Sequence, residues 1–432
     1  HPEAPAHFDM TMSFTLAPGT DPAALRLAVG ALLARHGMLR AVYAQEPGTG
    51  RWTGLVLAEL SPEAVLTVHD LTTAPDQEAA WEALLTDAQS GFRLDSGPLF
   101  RVLYGERGAS SQPWLSLVAH HLVVDGVSWR ILTEDLETAY HQAAAGHPVD
   151  LGAPTTSFRA WALRLEEHTA KGGFDAEAGY WEKAAAPGPA LPRDGEGPRL
   201  AGAARSVTVK LSAEETGSLL RRASAAYHTG VETLLAAACG RALARWTGRR
   251  RTLVAMEGHG REELFDDVDL TRTVGWFTSL YPVALSVGPE DGWDVTLPSV
   301  KEQLRAVPGR GVGFGALRYL SGGAPGEPAD GRVAGGLPEV SFNYLGRFDS
   351  AGADGPLVQG GSGVQLTEDP TRRRPFLLDV VARVEDGRLA VEWVHSPGVH
   401  DEATVRTLAE ETAAALREIV RHSADPSAGR AT

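Results

Sequence analysis

His120-His121-Leu122-Val123-Val124-Asp125-Gly126 decides how this chain is read. The stretch ends an apolar run that starts at Trp114, and such a run predicts a buried central strand over residues 114–124. Neighbouring side chains of a strand point to opposite faces, so His120 and His121 are not expected to line one cavity together. One acts while the other packs. A single histidine in an apolar strand is more often a packing residue. Here the strand end, Asp125 and the interruption of the apolar run by Gly126 together favour a functional reading.

Working outward, residues 22–36 read as a helix. Asp21 can cap it, Pro22 suits its first turn, Gly37 can close it, and Leu25, Ala28, Val29, Leu32 and Leu33 form its apolar face. Strands are predicted over 39–43, 54–57 and 64–70, and a helix over 78–90. After the histidines, Ser128 is placed to cap a helix over 129–145, followed by helices over 161–171 and 176–184. Residues 187–204 are rich in Pro, Gly and charge and read as a connection. Beyond it come a strand over 206–211 and two capping-box patterns, Ser212/Glu215 and Thr229/Glu232. A strand over 252–257 runs into Gly258-His259-Gly260, and another covers 340–344. A hairpin turns at Asp386-Gly387 between 377–384 and 388–395, and a helix over 401–421 closes the pattern. At 432 residues the chain exceeds one ordinary core, so two lobes are expected, 1–190 and 191–432, in a mixed α/β architecture.

A net charge of −15 argues against nucleic acid as a partner, since phosphate binding needs a basic surface. The clusters Arg249–Arg251 and Arg372–Arg374 read as solvated loop charges. No apolar stretch approaches membrane-spanning length, and the start lacks the basic-then-apolar pattern of a secretory signal. Cys239 lies on an apolar helical stripe and has no second cysteine to pair with, which points to a reducing, cytoplasmic compartment. No nucleotide fingerprint and no zinc spacing occur, so no metal is expected. The first residue is not Met, and residues 423–432 read as a linker, as in a piece of a longer protein.

His120 to Gly126 resembles the HHxxxDG motif of the condensation-domain superfamily of non-ribosomal peptide synthetases. Further segments resemble its epimerization branch: Ser128-Trp129-Arg130, Glu257-Gly258-His259-Gly260-Arg261-Glu262, and Thr273 through Pro282. So do Val307-Pro308-Gly309 through Gly315, with Phe314 where Tyr is expected, and Phe342-Asn343-Tyr344-Leu345-Gly346-Arg347-Phe348-Asp349. The aromatic-rich motif that usually opens the family is missing. Residues 8–16 fit the strand that follows it.

The resemblance implies a two-lobed, chloramphenicol-acetyltransferase-like pseudo-dimer with the active site in a channel between lobes. It implies a cofactor-independent isomerase acting at Cα of an aminoacyl or peptidyl thioester. A phosphopantetheine arm belonging to an upstream peptidyl carrier protein would deliver the substrate, and a downstream condensation domain would receive the product. His121 and Glu257 are then the catalytic pair, facing each other across the channel, either one serving as base. Asn343 or Tyr344 would bond the enolate oxygen or position the arm, with His120 in support. Asp125 would be structural, paired with Arg40 or Arg261, and Gly126 would be a position where a side chain crowds the channel or the turn. Trp129 and Trp276 read as packing residues. A condensation domain would keep His121 without needing Glu257; a silent carrier-docking scaffold would not need the intact motif.

Overall fold

The computed structural model describes residues 7–48, 52–108, 110–321, 336–347 and 357–425. Its strands, in chain order, are β1 (Phe8–Leu16), β2 (Ala41–Gln45), β3 (Trp52–Val56), β4 (Leu66–Asp70), β5 (Phe100–Glu106), β6 (Trp114–His120) and β7 (Arg205–Lys210). They continue with β8 (Arg251–Gly258), β9 (Ser279–Ser286), β10 (Val340–Arg347), β11 (Val358–Gly361), β12 (Gln365–Glu368), β13 (Leu378–Glu385) and β14 (Arg388–His395).

The chain divides into two compact units, and neither is continuous in sequence. The first comprises His1–Glu167, Glu263–Thr278 and Ser350–Asp369; the second comprises His168–Glu262, Ser279–Asp349 and Pro370–Thr432. A single break between 190 and 191 therefore does not describe the division. Sequence composition marks a Pro/Gly-rich connection, but it cannot show that later segments rejoin an earlier sheet through backbone pairing.

In the first unit the sheet runs β11-β1-β6-β5-β4, with β12 also paired to β1. β6 is antiparallel to β1 and β5 and is buried along almost its whole length, Leu115, Leu117, Val118 and Ala119 being fully enclosed. Helix Pro22–Arg35 sets Leu25, Ala28, Val29, Leu32 and Leu33 into the same core as β6 and helix Gly126–Ala144. Asp21 caps it by accepting from Ala23 N–H. Its close is not at Gly37: His36 is the C-cap, and Gly37–Arg40 form a 3-10 turn before β2.

Two local expectations change where β6 ends. The strand stops at His120, because its imidazole Nδ1 accepts from Leu122 N–H at 3.2 Å and folds His121–Val123 into a 3-10 turn. The alternation of faces therefore does not extend to His121. The following helix starts at Gly126, capped by Asp125 rather than Ser128, with Asp125 Oδ1 accepting from Ser128 N–H at 2.8 Å.

The second unit holds a sheet ordered β7-β14-β13-β10-β8-β9. β10 is parallel to both β8 and β13, and the remaining pairs are antiparallel. The β13–β14 hairpin turns through Asp386 (φ 49) and Gly387 (φ 70), as a two-residue turn with both central residues left-handed requires. Helix Val231–Thr247 is buried on nearly every side and encloses Cys239, whose thiol burial pushes up to about 12. The Ser212/Glu215 capping box is formed. The Thr229/Glu232 pattern is not: Gly230 is the N-cap and supplies no side-chain bond. No helix among the described residues is long and apolar enough to cross a membrane.

Candidate active site

In the first unit, His121 leaves the end of β6 in a cluster with two aromatic rings, Phe8 and Trp276, which also contact each other at 5.9 Å. Phe8 of β1 stacks on it at 4.9 Å with 12° between planes, and Trp276 lies against it at 4.2 Å. Trp276 is thus a packing residue, and the rings it packs on are those of His121 and Phe8. Phe8 covers one face of the half-buried imidazole, and Trp276 packs against it at a tilt of 36°. His120 is buried and meets the edge of Phe92 at 5.9 Å.

Asp125 fixes this arrangement. Its Oδ1 accepts from Ser128 N–H, and Ser128 Oγ lies 2.8 Å from the same oxygen. Its Oδ2 accepts from Phe277 N–H at 3.1 Å. Ser128 Oγ also accepts from Gly275 N–H at 3.1 Å and lies 3.0 Å from the Gly275 carbonyl. One carboxylate and one hydroxyl therefore bind the histidine turn to the segment carrying Trp276. Gly275 allows the close approach, since a Cβ there would stand 2.5 Å from the Phe158 ring.

Arg40 is not the partner of Asp125. Its Nε donates to the Leu33 carbonyl at 2.8 Å, and its Nη1 donates to the carbonyls of Leu57 and Ala58. The 3-10 turn at Gly37–Arg40 aims the side chain at its own neighbourhood, a direction that a strand reading of 39–43 did not give. Gly126 is exposed as the first residue of its helix, and an added Cβ would meet nothing within 4 Å, so crowding of the turn does not explain it.

The second unit carries Glu257 near the end of β8. β10 runs parallel beside it with Phe342 level with Met256, which sets Asn343 level with Glu257. Asn343 Nδ2 donates to Glu257 Oε2. Burial pushes the Glu257 carboxyl up to about 7, the negative charge of Asp379 adds to the rise, and the Asn343 bond pulls against it. Tyr344 follows Asn343 in the same strand and points to the opposite face; burial raises its hydroxyl. Asn343 therefore shares a face with Glu257 and Tyr344 does not.

Arg261 lies beyond β8, its N–H donating to His259 Nδ1 at 3.0 Å, while His259 Nε2 is 3.2 Å from Glu262. Gly311, in the glycine-rich segment, has φ +88, and a Cβ there would overlap Tyr281. Phe314 of the same segment is buried against Trp181. Phe348 and Asp349 lie outside the described residues. Among the described residues no group of three or more His, Cys, Asp or Glu is placed to hold a metal ion.

Sequence reading missed Phe8, Ser341, Arg374 and Asp379. Phe8 sits in a strand of ordinary alternation, and nothing marks its ring as a partner for a histidine far along the chain. Ser341 and Asp379 meet through the register of β10 against β13, and Arg374, expected as a solvated loop charge, is buried in the loop before β13 and bonded to Asp379.

Residues 2–429 match the family model described as Condensation domain. A linear gramicidin synthase of Brevibacillus parabrevis is 39% identical over 432 residues, covering 98% of this chain and 6% of that protein. Surfactin synthase subunit 1 of Bacillus subtilis (strain 168) is 36% identical over 422 residues, covering 96% of this chain and 12% of that protein. The chain thus spans a small part of the curated relatives it matches, which are synthase polypeptides several times its length. Among solved structures, the epimerization domain from the third module of tyrocidine synthetase B superposes with a TM-score of 0.83 at 32% identity, covering 96% of this chain and 92% of that one. The condensation domain of the Monacolin K polyketide synthase, at 19% identity and a TM-score of 0.74, shares the fold. With a family model spanning nearly all of its length and such identity to a whole epimerization domain, the chain belongs to the condensation-domain family, in its epimerization branch.

Proposed function

We propose that this domain epimerizes the Cα of an L-aminoacyl or peptidyl thioester carried on a peptidyl carrier protein, giving a D/L mixture. The observation that carries the reading is the Glu257–Asn343 pair. It is a carboxyl group whose proton affinity lies near neutrality, fixed by a neutral donor on a sheet face. An amide-forming domain has no use for such a group.

The chemistry needs a base on one side of Cα and an acid on the other. The base takes the Cα proton, and the electron pair moves to the thioester carbonyl as an enolate. The acid then returns a proton to the opposite face, and the thioester re-forms. His121 and Glu257 supply these roles and must hold one proton between them; each turnover exchanges which of the two bears it. A carboxyl group near 7 populates both forms at neutral pH, so it serves in either direction. Asp125 and Ser128 act on His121 indirectly, by holding Trp276 against it.

The carrier protein is placed upstream on the same polypeptide and a condensation domain downstream, in the cytoplasm. The size of the matching synthases supports neighbours of this kind. The pantetheine arm belongs to the carrier, so the domain contributes side chains alone.

The test uses carrier protein loaded with an L-aminoacyl-pantetheine and incubated with this chain in heavy water. The thioester is then cleaved and the amino acid resolved by chiral chromatography with mass detection. A D/L mixture with one deuterium at Cα, lost in His121→Ala and in Glu257→Gln, is the expected result. Absence of both exchange and D form across a substrate panel sinks the reading, and amide formation with an acceptor carrier becomes the next assay.

A further inference from the structure

The face of the second sheet that carries Glu257 also carries an ion pair, its arginine buried and its carboxylate half-buried, that the reaction itself does not employ. Ser341 precedes Asn343 by two positions in β10 and so shares its face, and Ser341 stands level with Asp379 of β13. Ser341 Oγ donates to Asp379 Oδ1 at 2.5 Å. The other oxygen of Asp379 accepts from Arg374, which is itself only 4% exposed. Arg374 also donates to Ser396 Oγ and to the Val394 carbonyl, both at 3.0 Å.

The arrangement has a direction. The strand order is β14-β13-β10-β8, and Arg374 approaches Asp379 from the side of β14, through Val394 of that strand and Ser396 just beyond it. Ser341 and then Glu257 lie on the other side. The ion pair is therefore a dipole across the sheet with its negative end toward Glu257. Resting on the epimerase reading of Glu257, we propose that Asp379, held by Arg374 and Ser341, is a positioning residue that acts through Glu257, keeping a negative charge on its sheet face that favours the proton-bearing carboxyl.

The other groups near Glu257 do not take over this role. Asn343 is neutral and donates to it. β9 sets Leu280 level with Glu257, and Tyr281 pairs with Met256 on the opposite face. Beyond the strand end, Arg310 approaches Glu262, which also meets His259, and Arg310 acts on Glu232 of the helix behind. Among the described residues, the charge that acts on Glu257 is that of Asp379, and it acts in the direction that the dipole requires.

The experiment follows the titration of the Glu257 carboxyl by 13C NMR in the whole chain, with its resonance assigned by its loss in Glu257→Gln. Two variants are predicted to move the midpoint in opposite senses. Asp379→Asn keeps one side-chain oxygen for Arg374 and presents an amide N–H that Ser341 Oγ can accept, while removing the negative charge; it is expected to lower the midpoint by roughly one pH unit. Arg374→Gln leaves Asp379 uncompensated and is expected to raise it. The exchange assay in Asp379→Asn should show its pH profile displaced the same way. A merely structural role would disturb stability in both variants without opposite shifts. Unmoved midpoints, or shifts of the same sign, in chains that retain wild-type circular dichroism overturn the proposal. The titration is read without substrate, so it stands apart from the epimerase reading, which fails instead if Glu257→Gln keeps exchanging Cα hydrogen.

Discussion

Replacing Asn343 by Ala removes one hydrogen bond, and the structure says what that bond does. Asn343 Nδ2 donates to Glu257 Oε2 and favours the charged carboxylate against burial and against Asp379. A bond to a charged group contributes about 1.5–3 kcal/mol to stability. Glu257 is half-buried, and water recovers part of that, which leaves on the order of 1.4 kcal/mol, or about one pH unit. The carboxyl then rises from about 7 toward roughly 8, and its ionised fraction at pH 7 falls from about half to about a tenth.

The assay is Cα hydrogen–deuterium exchange on a carrier-bound L-aminoacyl thioester, measured across pH together with the Glu257 carboxyl titration. The expected outcome at pH 7 is a fall in rate of about five-fold where the charged form limits. The deficit shrinks as pH rises, and the titration midpoint moves upward. A donor to the enolate oxygen behaves differently, since its loss costs roughly 100-fold or more at every pH. A pH-independent collapse of that size with an unmoved Glu257 midpoint would refute the reasoning and make Asn343 an enolate ligand.

Other residues give sharper structural readouts. Trp276→Ala removes the ring 4.2 Å from His121, and aromatic pairing of about 0.5–1.5 kcal/mol predicts a two- to ten-fold loss of exchange rate that Trp276→Phe largely restores. Asp125→Ala frees Ser128 and Phe277 N–H together; a loss of about 2–4 kcal/mol in chemical denaturation is expected, with residual exchange keeping the wild-type pH profile. Asp9 is fully buried, and burial pushes its carboxyl up to about 6 despite the Thr367 bond. The folded state thus prefers the acid form: that stability is complete below the unfolded value of 3.8 and is lost as pH rises through about 6. Asp9→Asn is therefore expected to gain up to about 3 kcal/mol at pH 7.5 and nothing near pH 3, read as Tm by scanning calorimetry.

What the sequence showed was whatever local chemistry determines. The apolar run of β6, the Asp-Gly turn of the last hairpin and the Ser212/Glu215 box each depend on neighbours within a few positions. Thr229/Glu232 has the same spacing as that box, but the helix starts one residue later, so Gly230 takes the cap and has no side chain to offer. Arg40 illustrates the other limit. Any arginine in the first unit satisfies the charge rule for Asp125, and only the path of residues 37–40 shows that its donors end on carbonyl oxygens. Between Asn343 and Tyr344, period two predicted opposite faces; the register of β10 against β8 was needed to say which faces Glu257.

Ser341, Arg374 and Asp379 carry no motif spacing, since one contact runs across strands and the other folds a loop arginine back onto β13, yet the reaction explains why such a group belongs there. Epimerization works best when the two groups that trade a proton hold it about equally well. Ordinary carboxyl and imidazole groups do not, since they differ by about two pH units, or about 3 kcal/mol, and that difference would fall on one of the two directions of transfer. Either partner could be retuned. A carboxyl on a sheet face has two flanking strands through which charge can be supplied. Burial and Asp379 raise Glu257 from 4.5 to about 7, into the range of an ordinary imidazole. Asn343 and Asp379 then stand as opposing adjustments on that one group, a donor that lowers it and an anion that raises it. Midpoints and exchange pH profiles displaced in opposite senses when one or the other is removed are the behaviour this balance requires.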